Sequence, residues 1–286
     1  MENRPAEIFG YPVSDTTAEA RKSREKYWCP FIEKTCDRTS RAVDYPFGVC
    51  TILQDGMFYV ICPHRFDGKG NIGGFPSVLE NVALHHFGEL KNLAIISDIK
   101  LPNHSTVDFV IVRHKPFMSE VDDFVPVELC ASLPTGTAQL IQGLNDVMSN
   151  EDISTKLYRV SIDNTRTIKR FLNQVFSMGI VYENWGVKSY WVIQEYIYAD
   201  LGERYGLEQN GYSEEHACRF ALQSYSFDGS HVRLQMPRYV SENVDEIYQA
   251  MRNDPTLPSK DRFVAIINNK FKAMLSGSLQ KRVLNF

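Results

Sequence analysis

The chain has 286 residues, of which 43% are hydrophobic, 12% aromatic and 23% charged, enough to bury a sizeable core and too apolar for a disordered chain. Its 31 Lys and Arg against 35 Asp and Glu leave a formal net charge of -4, which excludes a uniformly basic coat and confines any nucleic-acid surface to a local patch. The first residues carry no apolar signal core, and the most apolar runs, 107–112 and 189–201, are too short or too interrupted to span a bilayer; a soluble intracellular protein with no membrane partner is expected.

Residues 1–75 read as an irregular, cysteine-rich region. A short polar helix is expected near Thr16 to Tyr27, followed by a β-hairpin of GVCTIL and MFYVIC around Gln54, Asp55 and Gly56. Four of the six cysteines, Cys29, Cys36, Cys50 and Cys62, fall here with the spacing C-x6-C-x13-C-x11-C. Reduced thiols are the rule inside a cell, and four thiolates can supply a tetrahedral soft-ligand site for iron or zinc, although the spacing is not that of a common zinc finger. Unrelated reduced thiols are the competing reading. Pro30 and Pro63 follow Cys29 and Cys62 and fix turn-like backbone there. The glycine-rich run 66–76 matches neither phosphate-binding loop pattern and reads as a plain loop.

Residues 76–205 alternate helix and strand. Ser77 and Glu80 form a capping-box signature opening a helix to about Lys91, with Leu79, Ala83, His86, Phe87 and Leu90 along one stripe. Three β-rich stretches follow, 93–101, 107–113 and 123–132, read as strands of a buried sheet. Helices are expected over 136–149 and from Thr165 to Phe176, and 189–201 reads as a strand running into a short helix, with Tyr190, Trp191, Tyr196 and Tyr198 as core. The fold class is therefore α/β, a mixed central sheet flanked by helices. Residues 206–286 read as a mostly helical region ending in a basic tail, in which Lys260, Arg262, Lys270, Lys272, Lys281 and Arg282 face a single acid, Asp261. Such a run is either a solvated face or a phosphate-contacting element.

The candidate chemistry lies in the three-strand zone. Asp108 heads a strand whose next four residues are apolar, and Glu128 stands on the following strand between Val127 and Leu129. Period two puts Glu128 and Cys130 on one face, so Asp108, Glu128 and Cys130 form a D-x19-E-x-C pattern able to aim two carboxylates at one point. Hard carboxylate oxygens suit Mg²⁺; turn capping or ion pairing is the bland alternative. Glu80 is explained by its capping box, adjacent His85 and His86 point to different faces, and His104 and His114 flank the Asp108 strand.

Three pieces together resemble the NotI-type restriction endonucleases of the PD-(D/E)XK nuclease superfamily: WCPF...C...GVC...ICPHRF at 28–66, VDFVIV...DFVPVELCASLPTGT at 107–137, and NWGVKSYWVIQEYIYADL at 184–201, which carries Gln194. The resemblance implies a PD-(D/E)XK core over 76–205 behind an N-terminal four-cysteine metal-binding segment. It also implies a homodimeric, Mg²⁺-dependent type II endonuclease of a bacterial, cytoplasmic restriction-modification system, cutting a specific, GC-rich palindromic double-stranded DNA site. Asp108 and Glu128 correspond to the carboxylates that bind the catalytic metal, and Cys29, Cys36, Cys50 and Cys62 to the ligands of a structural metal, which the family tips toward iron. Cys130 departs from the pattern, because the third position is usually Lys or, in NotI-like sequences, Gln. Its role either passes to a nearby group, with Gln139 and Lys115 as candidates, or is dispensed with, or the protein binds DNA without cutting it; a buried thiol packing as a small hydrophobe is the bland reading. Arg38, Arg41, Arg65, Arg233 and Arg238 are the candidate guanine readers, with nothing to rank them.

Overall fold

A computed structural model describes residues 3–67, 77–102, 105–116, 120–207, 211–227, 232–253 and 259–275. His104, Lys281, Arg282 and the glycine-rich run beyond Asp67 lie outside these described residues. The N-terminal part contains β1 (Arg4–Ile8), β2 (Tyr11–Pro12), α1 (Ala18–Glu25), a short pair β3 (Trp28–Cys29) and β4 (Lys34–Thr35), the hairpin β5 (Val49–Gln54) and β6 (Met57–Val60), and α2 (His64–Asp67). The first, second, fifth and sixth strands form a sheet in the order β2-β1-β5-β6. The hairpin turns where the sequence places it, because Asp55 and Gly56 both take positive φ, 50° and 80°.

The main body runs through α3 (Val78–Phe87), β7 (Leu93–Lys100), β8 (Thr106–His114), β9 (Val121–Cys130), the bridge strand β10 (Pro134–Thr135), α4 (Thr137–Met148) and β11 (Ser161–Ile162). It continues with α5 (Asn164–Gln174), a π-turn over Val175–Gly179, α6 (Ile180–Asn184), β12 (Ser189–Gln194) and α7 (Glu195–Tyr205). The C-terminal part adds β13 (Cys218–Gln223), β14 (Tyr225–Phe227), β15 (Val232–Leu234), β16 (Arg238–Glu242), α8 (Val244–Arg252) and α9 (Lys260–Leu275).

Among the described residues the larger sheet has six strands in the order β16-β13-β12-β9-β8-β7. The pairs β9 with β12 and β12 with β13 are parallel, and the outer pairs are antiparallel. This is the expected mixed sheet, with helices on both faces. One face packs Val78, Leu79, Val82 and Ala83 of α3 on Ile111, Val125, Val127, Tyr190 and Val192. The other packs Ile168, Phe171, Val175, Met178 and Tyr182 on Cys130, Trp191, Ile193, Cys218 and Phe220. Helix α4 instead closes the core of the small sheet, through Leu140, Leu144 and Val147 against Ile8, Val49 and Ile52.

Four expectations need correction. The helix begun near residue 165 does not stop at Phe176 but passes through the π-turn to Asn184. Gly179 permits this: a Cβ there would sit 2.8 Å from Val244 Cγ2 and 3.3 Å from Cys218 Sγ, so only glycine lets the helix lie this close to the sheet. The region after 206 is not mostly helical, since β13 and β16 belong to the main sheet, and a boundary at 205 cuts through that sheet. Strand β7 is not buried but forms the sheet's edge, with Ile95 and Ile96 both about half exposed, at 49% and 47%. Finally, α3 ends at Phe87, where Gly88 takes the left-handed conformation that closes a helix, so Leu90 is exposed rather than part of its stripe.

Pro126 lies in the interior of β9, opposite Val110 of β8. Proline lacks a ladder donor, yet here it is tolerated because the parallel ladder with β12 begins only at Val127.

Candidate functional site

Strands β8 and β9 remain in register as far as Phe109 and Val127. Beyond that pair, carboxylates take over the backbone bonds. The Asp108 amide donates to Glu128 Oε2 at 3.4 Å, and the Leu129 amide donates to Asp108 Oδ2 at 2.8 Å. The Tyr182 hydroxyl, on α6, donates to Glu128 Oε1 at 2.7 Å. Asp108 and Glu128 are therefore brought together, as the sequence pattern predicts, at the end of the sheet where β9 and the parallel β12 terminate.

Glu128 is 3% exposed and Asp108 half-buried. Burial pushes the Glu128 carboxyl up to about 7; the Tyr182 bond opposes this and the Asp108 charge adds to it. Asp108 is also raised, chiefly by burial, against the pull of the Leu129 amide and of the Arg170 charge; Asp98 pushes it further up and His64 draws it down. Two hard acids pressed together in a desolvated corner gain from a shared cation, so the donor set fits Mg²⁺.

Neither proposed substitute for the third position is at this corner. Lys115 pairs with Glu120 at 3.1 Å at the far end of β8, seven residues and roughly 20 Å from Asp108 at strand rise. Gln139 on α4 donates to Gln142 Oε1 at 3.1 Å and accepts from the Arg159 amide at 3.3 Å. Cys130 is 2% exposed in the core under α5, and burial raises its thiol to about 11, so it stands there as a neutral, apolar group. Glu80 is occupied by its capping box with Ser77. His85 stacks on Tyr239 with ring centroids 3.7 Å apart and meets Tyr190 Oη at 2.7 Å, while the His114 ring meets the Lys115 carbonyl at 2.9 Å.

Sequence reasoning missed Tyr182, which reaches Glu128 only through tertiary packing. It also missed Asp98. This residue of β7 has φ 56° and stands level with Asp108, unpaired in the ladder although Ser97 opposite Phe109 and Ile99 opposite Val107 keep one register. A non-glycine residue at positive φ inside a strand was the only signal, and it exists in the backbone alone.

The four N-terminal cysteines are buried, reduced and gathered near Cys62. Each sulfur accepts from the backbone: Cys29 from Phe31 and Ile32, Cys36 from Arg38, Cys62 from His64, and Cys50 from the Gly10 amide at 3.4 Å. Burial raises Cys29, and raises Cys36 to about 12. A hydrogen bond from the Cys50 thiol, together with the charges of Arg38 and His64, lowers Cys62, while the same bond and burial hold Cys50 protonated. Amides turned toward sulfur suit thiolate ligation. Among the described residues, the acid-and-imidazole group whose donors all lie within 4.8 Å of one another is elsewhere, at His216, Glu242 and Glu246; the cysteine sulfurs do not close so tightly. That trio is engaged by the protein itself, His216 Nδ1 with the Ser241 carbonyl, Glu242 with Tyr198 and Glu246 with the Asn243 amide.

Of the candidate base readers, Arg65 is excluded: it is buried, paired with Glu7 at 3.0 Å, and packed over Phe31. Arg38 donates to the Val49 carbonyl at 2.9 Å and Arg238 pairs with Glu195 at 3.2 Å. The basic residues of α9 that fall within the described range, Lys260, Arg262, Lys270 and Lys272, are exposed. No helix of the described residues is long and apolar enough to cross a membrane. The chain matches no protein-family model and no curated protein.

Proposed function

We propose that the chain is a Mg²⁺-dependent DNA endonuclease of the NotI type, a PD-(D/E)XK nuclease acting as a homodimer on duplex DNA, with a four-cysteine structural site for iron or zinc. The observation that carries this reading is the meeting of Asp108 and Glu128, twenty residues apart, at the end of a sheet. Mg²⁺ held by these two carboxylates would supply Lewis acidity at a phosphodiester and lower the pKa of a water that attacks it. Asp108 and Glu128 bind, each steadied by a backbone amide, and Tyr182 fixes the rotamer of Glu128. The gathering of Cys29, Cys36, Cys50 and Cys62, with amides aimed at each sulfur, supports the structural site.

The experiment is incubation of the purified protein with DNA of varied sequence and Mg²⁺ or Mn²⁺. Discrete fragments, lost in Asp108→Asn and in Glu128→Gln while both variants stay folded, support the reading; no cleavage under any divalent ion overturns it.

One observation favours a second reading. The third position is a neutral buried thiol, and neither Lys115 nor Gln139 replaces it. A non-cleaving, sequence-specific DNA-binding protein would keep the fold and the cysteine site. Site-specific, salt-dependent binding without nicking selects it, and a binding constant that is absent or insensitive to salt points to an interaction protein with no nucleic-acid role.

A further inference from the structure

The β16 edge of the larger sheet carries a second convergence of ligand-bearing side chains, three strands across from β9 and roughly 14 Å from it at the spacing of sheet strands. His216 stands in the turn before β13, Glu242 closes β16 opposite Cys218, and Glu246 lies in the first turn of α8. One donor atom of each lies within 4.8 Å of the other two.

Each side chain is held by a bond that uses one atom and leaves another for the group. His216 Nδ1 meets the Ser241 carbonyl at 2.9 Å and the Ser241 hydroxyl oxygen at 3.2 Å. A carbonyl only accepts, so Nδ1 carries the hydrogen and the Nε2 lone pair is presented to Glu246 Oε2, 3.9 Å away. The turn that carries His216 is itself fixed: the hydroxyl of buried Ser241 accepts from the Ser213 amide at 2.7 Å and donates to the Ser213 carbonyl at 3.1 Å. Glu242, 2% exposed, accepts from the Tyr198 hydroxyl at 3.0 Å through Oε1 and also meets the Glu246 carboxyl. The Asn243 amide, at 3.0 Å, sets the rotamer of Glu246. An imidazole lone pair and two carboxyls thus face one spot, all of them acceptors. Among the described residues no Lys or Arg is ion-paired with either acid, and a buried carboxylate without a cation is costly.

We infer that His216, Glu242 and Glu246 form a binding site for a divalent first-row cation, Zn²⁺ by its mixed imidazole and carboxylate donors. Donors of a tetrahedral zinc stand roughly 3.4 Å apart, so the 3.9 Å pair closes by about half an ångström on binding. Three protein ligands leave the fourth position to water on the side of half-exposed Glu246. The ion clamps the turn before β13 to the end of β16 and the start of α8. This site shares no residue with the Asp108–Glu128 corner or with the four cysteines, and stands whether or not the chain cuts DNA.

The test compares wild type with Glu246→Gln, His216→Ala and, as a control in the same helical turn, Asp245→Asn. Glutamine keeps the capping box with Asn243, so Glu246→Gln removes a ligand charge and leaves the fold in place. Two readouts are taken: Zn²⁺ bound per chain after dialysis against micromolar Zn²⁺, and the unfolding midpoint with Zn²⁺ or with chelator. The cysteines are common to all four proteins, so differences between them read this site alone. Glu246→Gln and His216→Ala should each bind one Zn²⁺ fewer than wild type and Asp245→Asn, with affinity for that ion down by about 100-fold or more, beyond what an outer-shell change costs. In chelator Glu246→Gln should unfold at or above the wild-type midpoint, since an acid pressed on an acid is relieved; in Zn²⁺ it should unfold below. Equal Zn²⁺ uptake by wild type and Glu246→Gln, or the same midpoint shift with Zn²⁺ in both, overturns the inference and leaves His216 and Glu246 as an ion pair only.

Discussion

The Glu128 carboxylate accepts the amide hydrogen of Asp108, and the Asp108 carboxylate accepts the amide hydrogen of the residue after Glu128. Each acid thus replaces a ladder bond at the point where β8 and β9 part. The same two bonds explain why carboxylates are tolerated beside apolar strand residues, and why they stand close enough to share a cation. A structural and a catalytic account of these residues therefore differ in what happens when pH or Mg²⁺ is changed.

The first prediction follows from the Glu128 carboxyl, lifted by burial to about 7 from an ordinary 4.5. The folded chain then holds a proton that the unfolded chain has released between these values, so stability is fully present below pH 4.5 and is lost as pH rises through 7. The effect is at most roughly 3 kcal/mol. Glu242, raised to about 7 by burial, contributes with the same sign, so the comparison must be with Glu128→Gln. Urea unfolding across this range should show a shallower fall in the variant than in wild type. Above pH 7, Mg²⁺ should stabilise wild type and leave the variant unmoved; identical pH slopes in the two proteins would sink the assignment.

Tyr182 is fully buried, and its hydroxyl donates to Glu128, favouring the charged form against the larger effect of burial. Tyr182→Phe removes one donor without changing the packing, at a cost of about 1 kcal/mol in stability. Losing a bond that lowers the Glu128 pKa moves it upward, so the acidic limb of any Mg²⁺-dependent cleavage should shift to higher pH, with the plateau rate at alkaline pH retained. A limb that stays in place, or moves down, contradicts the role given to this hydroxyl.

Much of this arrangement was legible in the sequence, and its failures have physical causes. The capping box of Ser77 and Glu80 and the turn at Asp55 and Gly56 are local signals, and both formed as read. Strand β13 was missed because Arg219 interrupts its apolar pattern. That arginine is buried on the sheet, donating to Tyr190 Oη at 3.0 Å, a pairing no local pattern displays. Strand β7 was expected to be buried because its Ile95 and Ile96 look like core, whereas the strand lies at the sheet edge. Asp108 and Glu128 could be matched by spacing; Tyr182 could not, because helix α6 brings it to the corner through packing.

The cysteine segment yields a prediction independent of the nuclease corner. Thiols raised by burial must lose protons to ligate, so metal binding should release protons and strengthen with pH. Elemental analysis of protein kept free of chelators should return one iron or zinc per chain. Removing it, or making Cys36→Ser, should lower the unfolding midpoint, and added metal should restore the midpoint in the former case only. Protein with no bound metal and an unfolding curve indifferent to chelator would leave four ordinary buried thiols.

The last prediction concerns the joint between the two sheets. Gln194 ends β12, buried at 3% exposure, and its carboxamide is divided between both bodies. Oε1 accepts from the Val60 amide and from the Ser132 hydroxyl, each at 2.8 Å, while Nε2 donates to the Phe58 carbonyl at 3.2 Å. The Ser132 amide also donates to the Val60 carbonyl at 2.9 Å, so this side chain works beside a backbone bond as an added ladder rung between the sheets. Gln194→Ala strands a buried amide and a buried carbonyl, with an expected loss of about 2–3 kcal/mol. Gln194→Glu should be worse above neutral pH, since a carboxylate has no donor for the Phe58 carbonyl and brings a buried charge. Protonation would restore one donor, so the Glu variant should regain stability as pH falls. If the Ala and Glu variants instead unfold at the wild-type midpoint, the two sheets are held by apolar packing and the bond from the Ser132 amide to the Val60 carbonyl, and the Gln194 carboxamide is no part of the joint.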